Sequence, residues 1–373
     1  MKEGSAVRFT QYNPTRVHFG RGQIEQLPLA FPAEAASRIM LVTDPDGARL
    51  SGALDGTSRQ FPDRELLLFD EIMENPTFEI VDKGAELART HRVDLIVGIG
   101  GGSAMDAAKG IALTCRQPRP VNAYIEGRQI ESPPLPIVCV PTTAGTGSEV
   151  TPFIVLTDVA RGIKQGYESE HIYPALAIVD PSFCDSMPAG LALNTGLDAL
   201  THAVEAYLST LPHPATDALA LDALGVVIAS LKAAMSKDPS AIDAMSFAAM
   251  EAGLAISQKS TILLHILAYP LTHCHHIHHG LANALLLPAV LDFLNREGQC
   301  AGKLNRIASL FDAVGGVRAF LEDLGVRLSL SHYGVRPDAF GHYADQTLVK
   351  GDIAITPASI DKKKLISIYE DAL

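Results

Sequence analysis

The sequence predicts a two-part chain, an α/β half over residues 1–184 built on a parallel sheet and an all-helical half over residues 185–373. Three observations predict it. Short, nearly continuous apolar runs at 39–43, 65–69, 95–99, 137–140 and 176–179 alternate with helical stretches, the pattern of strands buried on both faces by crossover helices. Beyond about Pro188 the strand signal fades and long Ala/Leu-rich periodic segments follow one another. The chain has 373 residues, 47% of them hydrophobic, which suits two lobes better than one compact core.

Taken in order, the strand ends carry the first chemical signals. Asp44 closes the first strong strand, Val42-Thr43-Asp44, where a carboxylate can accept hydrogen bonds from ribose hydroxyls and repel a 2′-phosphate; capping a turn is its other role. The strand at 95–99 runs into Gly98-Ile99-Gly100-Gly101-Gly102-Ser103 and then a helix over 104–109. Bare amides there can approach a pyrophosphate at the positive end of that helix. Ser103 occupies the third glycine position of the dinucleotide fingerprint, so the loop on its own also reads as a simple turn. After the strand at 137–140 comes a hydroxyl- and glycine-rich turn with Thr142, Thr143 and Thr146, suited to phosphate and nicotinamide contacts.

The helical half carries a candidate metal tetrad. Asp198 and His202 stand four apart in a segment without a breaker after Gly196, so a helix places carboxylate and imidazole on one face. His265 and His279 come from two further segments. Three imidazoles and a carboxylate suit one divalent cation with room for a substrate oxygen. Histidines at 265, 273, 275, 276, 278 and 279 make chance spacings easy here, and a histidine on an apolar helix is commonly a packed one. The local wording of both segments is what favours the metal reading.

That wording resembles the iron-dependent, group III alcohol dehydrogenase family. The segments that carry the resemblance are 195–207, His279-Gly280-Leu281-Ala282-Asn283 with Leu287-Pro288, Gly100-Gly101-Gly102-Ser103, residues 141–151, Val179-Asp180-Pro181 and the opening stretch 13–20, in order from about residue 12 to about 290. The resemblance implies a dehydroquinate-synthase-like architecture, with a dinucleotide-binding domain and a metal-binding helical domain. It also implies an NAD(H)-linked alcohol dehydrogenase or aldehyde reductase. Asp44, Gly100, Gly101, Gly102, Ser103, Asp106, Thr142, Thr143, Thr146 and, more loosely, Lys164 become cofactor contacts. Asp198, His202, His265 and His279 become ligands of Fe²⁺, which Zn²⁺ could replace. An acid at Asp44 favours NAD over NADP. The family commonly carries a second histidine four residues after the third ligand; here Tyr269 stands there, followed by Pro270. A tyrosine, with an ordinary pKa of ~10, is a weaker base near neutrality, so proton relay falls to Tyr269 or His275, and packing is the competing role of Tyr269. A second departure is Thr356-Pro357-Ala358 in place of the usual Asn-Pro-Arg.

Other readings narrow the field. The net charge of −12 argues against a nucleic-acid surface. No uninterrupted apolar run has the roughly 18–20 residues of a membrane span, and residues 1–5 lead into no hydrophobic segment of a secretory signal. Five scattered cysteines write neither a disulfide framework nor a metal knuckle, which fits a reducing cytoplasm. A homodimer or larger homo-oligomer acting on a small alcohol or aldehyde is expected. Phe153, Ile266, Tyr269 and Ile277 are candidates for an apolar pocket, and no residue names the substrate. A polyol dehydrogenase of the same fold and a catalytically silent nucleotide- and metal-binding protein are the alternative functions.

Overall fold

The computed structural model describes residues 7–31 and 36–373; residues 1–5, read above for a secretory signal, lie outside them. The apolar runs form one parallel sheet in the order β1-β8-β5-β4-β2-β3. Its strands are β1 (Arg16–Phe19), β2 (Arg38–Thr43), β3 (Glu65–Phe69), β4 (Leu95–Gly100), β5 (Ile137–Pro141) and β8 (Leu176–Val179), and every pairing is parallel. Successive residues face opposite layers. Ile39, Leu41, Val97 and Ile99 pack into one core, and Met40, Val42 and Ile96 into the other. Each central strand is therefore apolar throughout, because both its faces are covered.

Two elements escaped the sequence reading. β1 is a short, half-exposed edge strand, and β6 (Phe153–Asp158) with β7 (Ile163–Glu168) forms a separate antiparallel hairpin. β6 alternates buried and half-buried residues along its length, although it opens on the apolar run Phe153-Ile154-Val155-Leu156. Helices α1 (Leu27–Ala30), α2 (Gly47–Leu50), α3 (Ala53–Ser58), α4 (Phe78–Thr90), α5 (Gly102–Thr114) and α6 (Val121–Ile125) fill the connections of this half.

From α7 (Ala189–Leu208) onward the described residues are helical: α8 (Pro214–Met235), α9 (Pro239–Lys259), α10 (Leu263–His275), α11 (His279–Glu297), α12 (Ala301–Phe311), α13 (Val317–Asp323), α14 (Phe340–Leu348) and α15 (Lys362–Asp371), with short single-turn helices between. One large apolar core joins them. By length and composition α8 could cross a bilayer, and 33% of its most apolar stretch is buried; it packs against α7 and α9.

The two halves meet through glycines. Gly147, at φ +62°, presses on Gly253 of α9, and a methyl group there would lie 2.4 Å from the Gly253 Cα. A methyl on Gly145 would lie 2.6 Å from the Thr195 carbonyl of α7, so the turn after β5 is seated on the helix that carries Asp198 and His202. At the far side, Gly280 lets α11 approach the Asn194 carbonyl and the Asp198 amide of α7.

Candidate functional site

α7 places Asp198 and His202 one turn apart, with His202 Nδ1 3.9 Å from Asp198 Oδ2. α10 stops at His275 because His276 adopts a left-handed conformation, φ 53°, and the chain turns back into α11 at His279. This reversal brings His265 and His279 to the same carboxylate, their Nε2 atoms 3.6 and 3.9 Å from Asp198 Oδ1. The rings of His202 and His265 stack at 4.6 Å, and those of His265 and His279 meet edge-on at 5.2 Å. Ligand atoms of Asp198, His202 and His265 lie within 4.8 Å of one another.

His202 Nδ1 and His265 Nε2 are buried without a hydrogen-bond partner. Leaving such nitrogens unpaired is costly unless a cation takes their lone pairs, so this donor set fits a divalent metal. Burial would raise the Asp198 pKa, but His202, His265 and His279 around it hold the carboxyl well below its ordinary range. Burial brings His202 down to about 4 and His279 well below its usual value. His265 goes the other way, to about 9, because Glu205 and Asp198 outweigh its burial.

Each ligand is held from behind. Asn283 Nδ2 donates to Asp198 Oδ1 at 3.3 Å, and Thr272 Oγ1 lies 3.4 Å from His279 Nδ1. The Gly145 backbone is a hydrogen-bond partner of His202. Glu205, absent from the sequence reading, accepts from the Ile262 and Leu264 amides and meets His265 Nδ1. Its signal was its spacing, since Asp198, His202 and Glu205 follow one helical face.

The nucleotide turn is built of backbone. β4 ends at Gly100, φ +144°, and the first amides bonded back into α5 are those of Ala104 and Met105, to the Gly101 carbonyl. Earlier amides point out of the helix N-terminus. Asp44 Oδ1 accepts from the Asp46 and Gly47 amides, and a methyl on Gly100 would lie 3.2 Å from Asp44 Oδ2. Asp44 is thus a turn cap that also borders the glycine loop. Thr143 Oγ1 is buried without a partner beside Gly101, and Thr146 packs on Gly102. Thr142 donates its amide to the Gly100 carbonyl, and Ser103 Oγ accepts from the Asn75 amide.

Three of the expected residues have partners within the protein. Asp106 accepts from Ser148 Oγ at 2.6 Å and the Val155 amide at 2.9 Å, so it braces α5 against β6. His275 lies 2.7 Å from the Tyr343 hydroxyl through Nε2, a partner on α14 outside the tetrad. Phe153 packs with Tyr207, Leu219 and Ile256 against the bundle. By contrast Tyr269 stacks on His279 at 5.7 Å, beside the ligand whose side chain is 25% exposed. Lys164 lies on β7, and burial lowers its pKa to about 8 against the pull of Glu74, Asp198 and Asp106.

Residues 14–181 match the family described as iron-containing alcohol dehydrogenase, and residues 192–373 match the C-terminal part of the Fe-containing alcohol dehydrogenase family. Alcohol dehydrogenase 4 of Schizosaccharomyces pombe is 32% identical over 97% of this chain and 88% of its own length. An NAD-dependent methanol dehydrogenase of Bacillus methanolicus is 32% identical over 79% of this chain and 77% of its own. Among solved structures, an iron-containing alcohol dehydrogenase of Thermotoga maritima superposes with a TM-score of 0.91 at 34% identity, covering 98% of this chain and 99% of that one.

Proposed function

The chain belongs to the iron-containing alcohol dehydrogenase family, and from that premise we propose that it transfers hydride between NAD(H) and a small alcohol or aldehyde, with Fe²⁺ held by Asp198, His202, His265 and His279. The observation that carries this reading is the convergence of buried, partnerless imidazole nitrogens on Asp198.

A bound divalent cation supplies Lewis-acid polarisation of the substrate oxygen, and the nicotinamide supplies the hydride chemistry. The chain's own contribution is placement. Gly100, Gly101, Gly102 and Ser103 present amides to the pyrophosphate, and Thr142, Thr143 and Thr146 continue that cradle toward the nicotinamide. The ammonium of Lys164 attracts the anionic cofactor to the gap. Asp44 borders the loop where the adenosine ribose lies, and a 2′-phosphate would meet its carboxylate, which favours NAD. We assign proton relay to Tyr269, which stacks on the exposed side of His279, over His275, whose Nε2 is engaged with Tyr343.

Iron is favoured over zinc by family, since the donor set accepts both. We also propose a homo-oligomer, in keeping with the half-buried apolar side chains Leu219, Leu221, Val226 and Ile228 of α8, and a cytoplasmic location, in keeping with five free thiols. The test is an NADH-coupled screen of short alcohols, diols and aldehydes before and after chelation. Activity lost on chelation and restored by Fe²⁺ or Zn²⁺ is expected; full activity in metal-free protein would overturn the metal assignment.

A further inference from the structure

We infer that Glu205 is a positioning residue that sets metal affinity by fixing the ring and the tautomer of His265. The inference rests on the tetrad reading above and concerns a side chain outside it. Glu205 is 1% exposed, and both its oxygens are used. Oε1 accepts from the Ile262 amide at 3.0 Å and the Leu264 amide at 2.8 Å, where α10 opens, while Oε2 meets His265 Nδ1. A carboxylate is acceptor-only, so Nδ1 must carry the ring proton. In the neutral ring that binds a metal, the lone pair is then on Nε2, the buried atom with no hydrogen-bond partner, 3.6 Å from Asp198 Oδ1.

Two further consequences follow from the same contacts. The backbone of α10 and the ring it carries are registered by one side chain, so turning the His265 ring breaks its bond to a carboxylate that the helix's opening amides hold in place. The inner set brings one negative charge, from Asp198, against two positive charges on the cation; Glu205 supplies the second at one remove, behind an imidazole. Partners of the other ligands are neutral: Asn283 behind Asp198, Thr272 behind His279, and the Gly145 backbone behind His202. Glu205 is the charged member of this outer layer.

Glu205→Gln is the informative variant because it keeps shape and loses one acceptor. If its oxygen stays with the two amides, its NH₂ group faces Nδ1, and the ring proton moves to Nε2, the metal-facing atom. The full chain, stripped by chelator, is titrated with Zn²⁺ or Co²⁺ against a chromophoric chelator. An affinity loss of about 10–100-fold is expected, with an altered Co²⁺ visible spectrum. The melting midpoint of the metal-free protein and NADH binding stay near wild type. Glu205→Asp, which keeps the charge on a shorter stem, recovers part of the affinity and carries the test should the glutamine variant misfold. Wild-type affinity and spectrum in Glu205→Gln would overturn the inference, as would a fall in metal-free stability with affinity unchanged. Failure of the wild-type chain to take up metal, or metal retention by His279→Ala, would instead remove the tetrad reading beneath it.

Discussion

The proposed nucleotide turn and the proposed metal centre sit in one molecule but are made of opposite materials. At the turn the working groups are backbone amides at the start of α5, and several nearby side chains are spent on one another: Asp106 on Ser148, Ser103 on Asn75, Asp44 partly on its own turn. At the metal centre the working groups are side-chain atoms, and backbone serves as support, as at Ile262 and Leu264. A backbone site is sensitive to added bulk and tolerant of changed chemistry, whereas a side-chain site is the reverse. Substitutions that separate bulk from chemistry therefore test the contrast.

The largest effect is expected from deleting chemistry at the metal centre. His265→Ala or His279→Ala should abolish metal retention, measured by elemental analysis, and lower turnover by ~10³-fold or more, the scale of losing a polarising ion. The fold should survive in a melting scan. Retained metal in His279→Ala would refute the ligand assignment.

Next comes bulk at the turn. Gly100→Ala places a methyl 2.8 Å from Ala104 Cβ at φ +144°, a region L residues rarely adopt. NADH affinity should fall about tenfold or more, with a stability loss of about 1–3 kcal/mol, while metal content stays unchanged. If metal is lost as well, the two sites are not as separate as their construction suggests. A smaller chemical change at the same turn, Asp44→Gly, should shift the kcat/KM ratio toward NADP by roughly tenfold, about the 1.4 kcal/mol of one unfavourable charge contact. An unchanged ratio would leave Asp44 a turn cap only.

The same contrast explains what could be read from sequence. The central strands were legible because burial on both faces writes a continuous apolar run, as in Leu95, Ile96 and Val97. β1 and β7 were not, since an edge strand and the outer strand of a two-stranded ribbon are half-exposed and write weaker patterns; the apolar run Phe153–Leu156 of β6 was passed over. Asp198 and His202 were legible because helix periodicity alone puts them together. Glu205 was not, because its role appears only when α10 folds back to bring Ile262, Leu264 and His265 against it. Asp106 was assigned to the cofactor by nearness to the glycine loop, and nearness along a helix does not say which way a carboxylate points. The partner of His275, Tyr343, lies on α14 and could not be read from the histidine's place in the sequence.

Tyr269→His restores the residue usual in the family next to His279. Turnover should rise by a few-fold, and the rate should gain a limb titrating near the ordinary histidine pKa of ~6.5. An unchanged pH–rate profile would favour a packing role for Tyr269.

The effect expected to touch function least lies outside both regions and is a stability effect alone. Burial, with Asp222 beside it, raises the Glu251 carboxyl to about 7 from its ordinary 4.5. The folded chain therefore holds this proton more tightly than the unfolded one does. The favourable contribution is full below about pH 4.5, is lost as pH rises through about 7, and stays absent above it. Glu251→Gln mimics the protonated form and should flatten that decline, gaining on the order of 1–3 kcal/mol at pH 8 and little at pH 4.5. Denaturant melts at both values check it; equal shifts at the two pH values would mean that Glu251 does not titrate in this range. Because Glu251 belongs to neither the glycine turn nor the tetrad, NADH affinity and metal content should be unaffected, so a change in either would show that α9 couples its stability to a site.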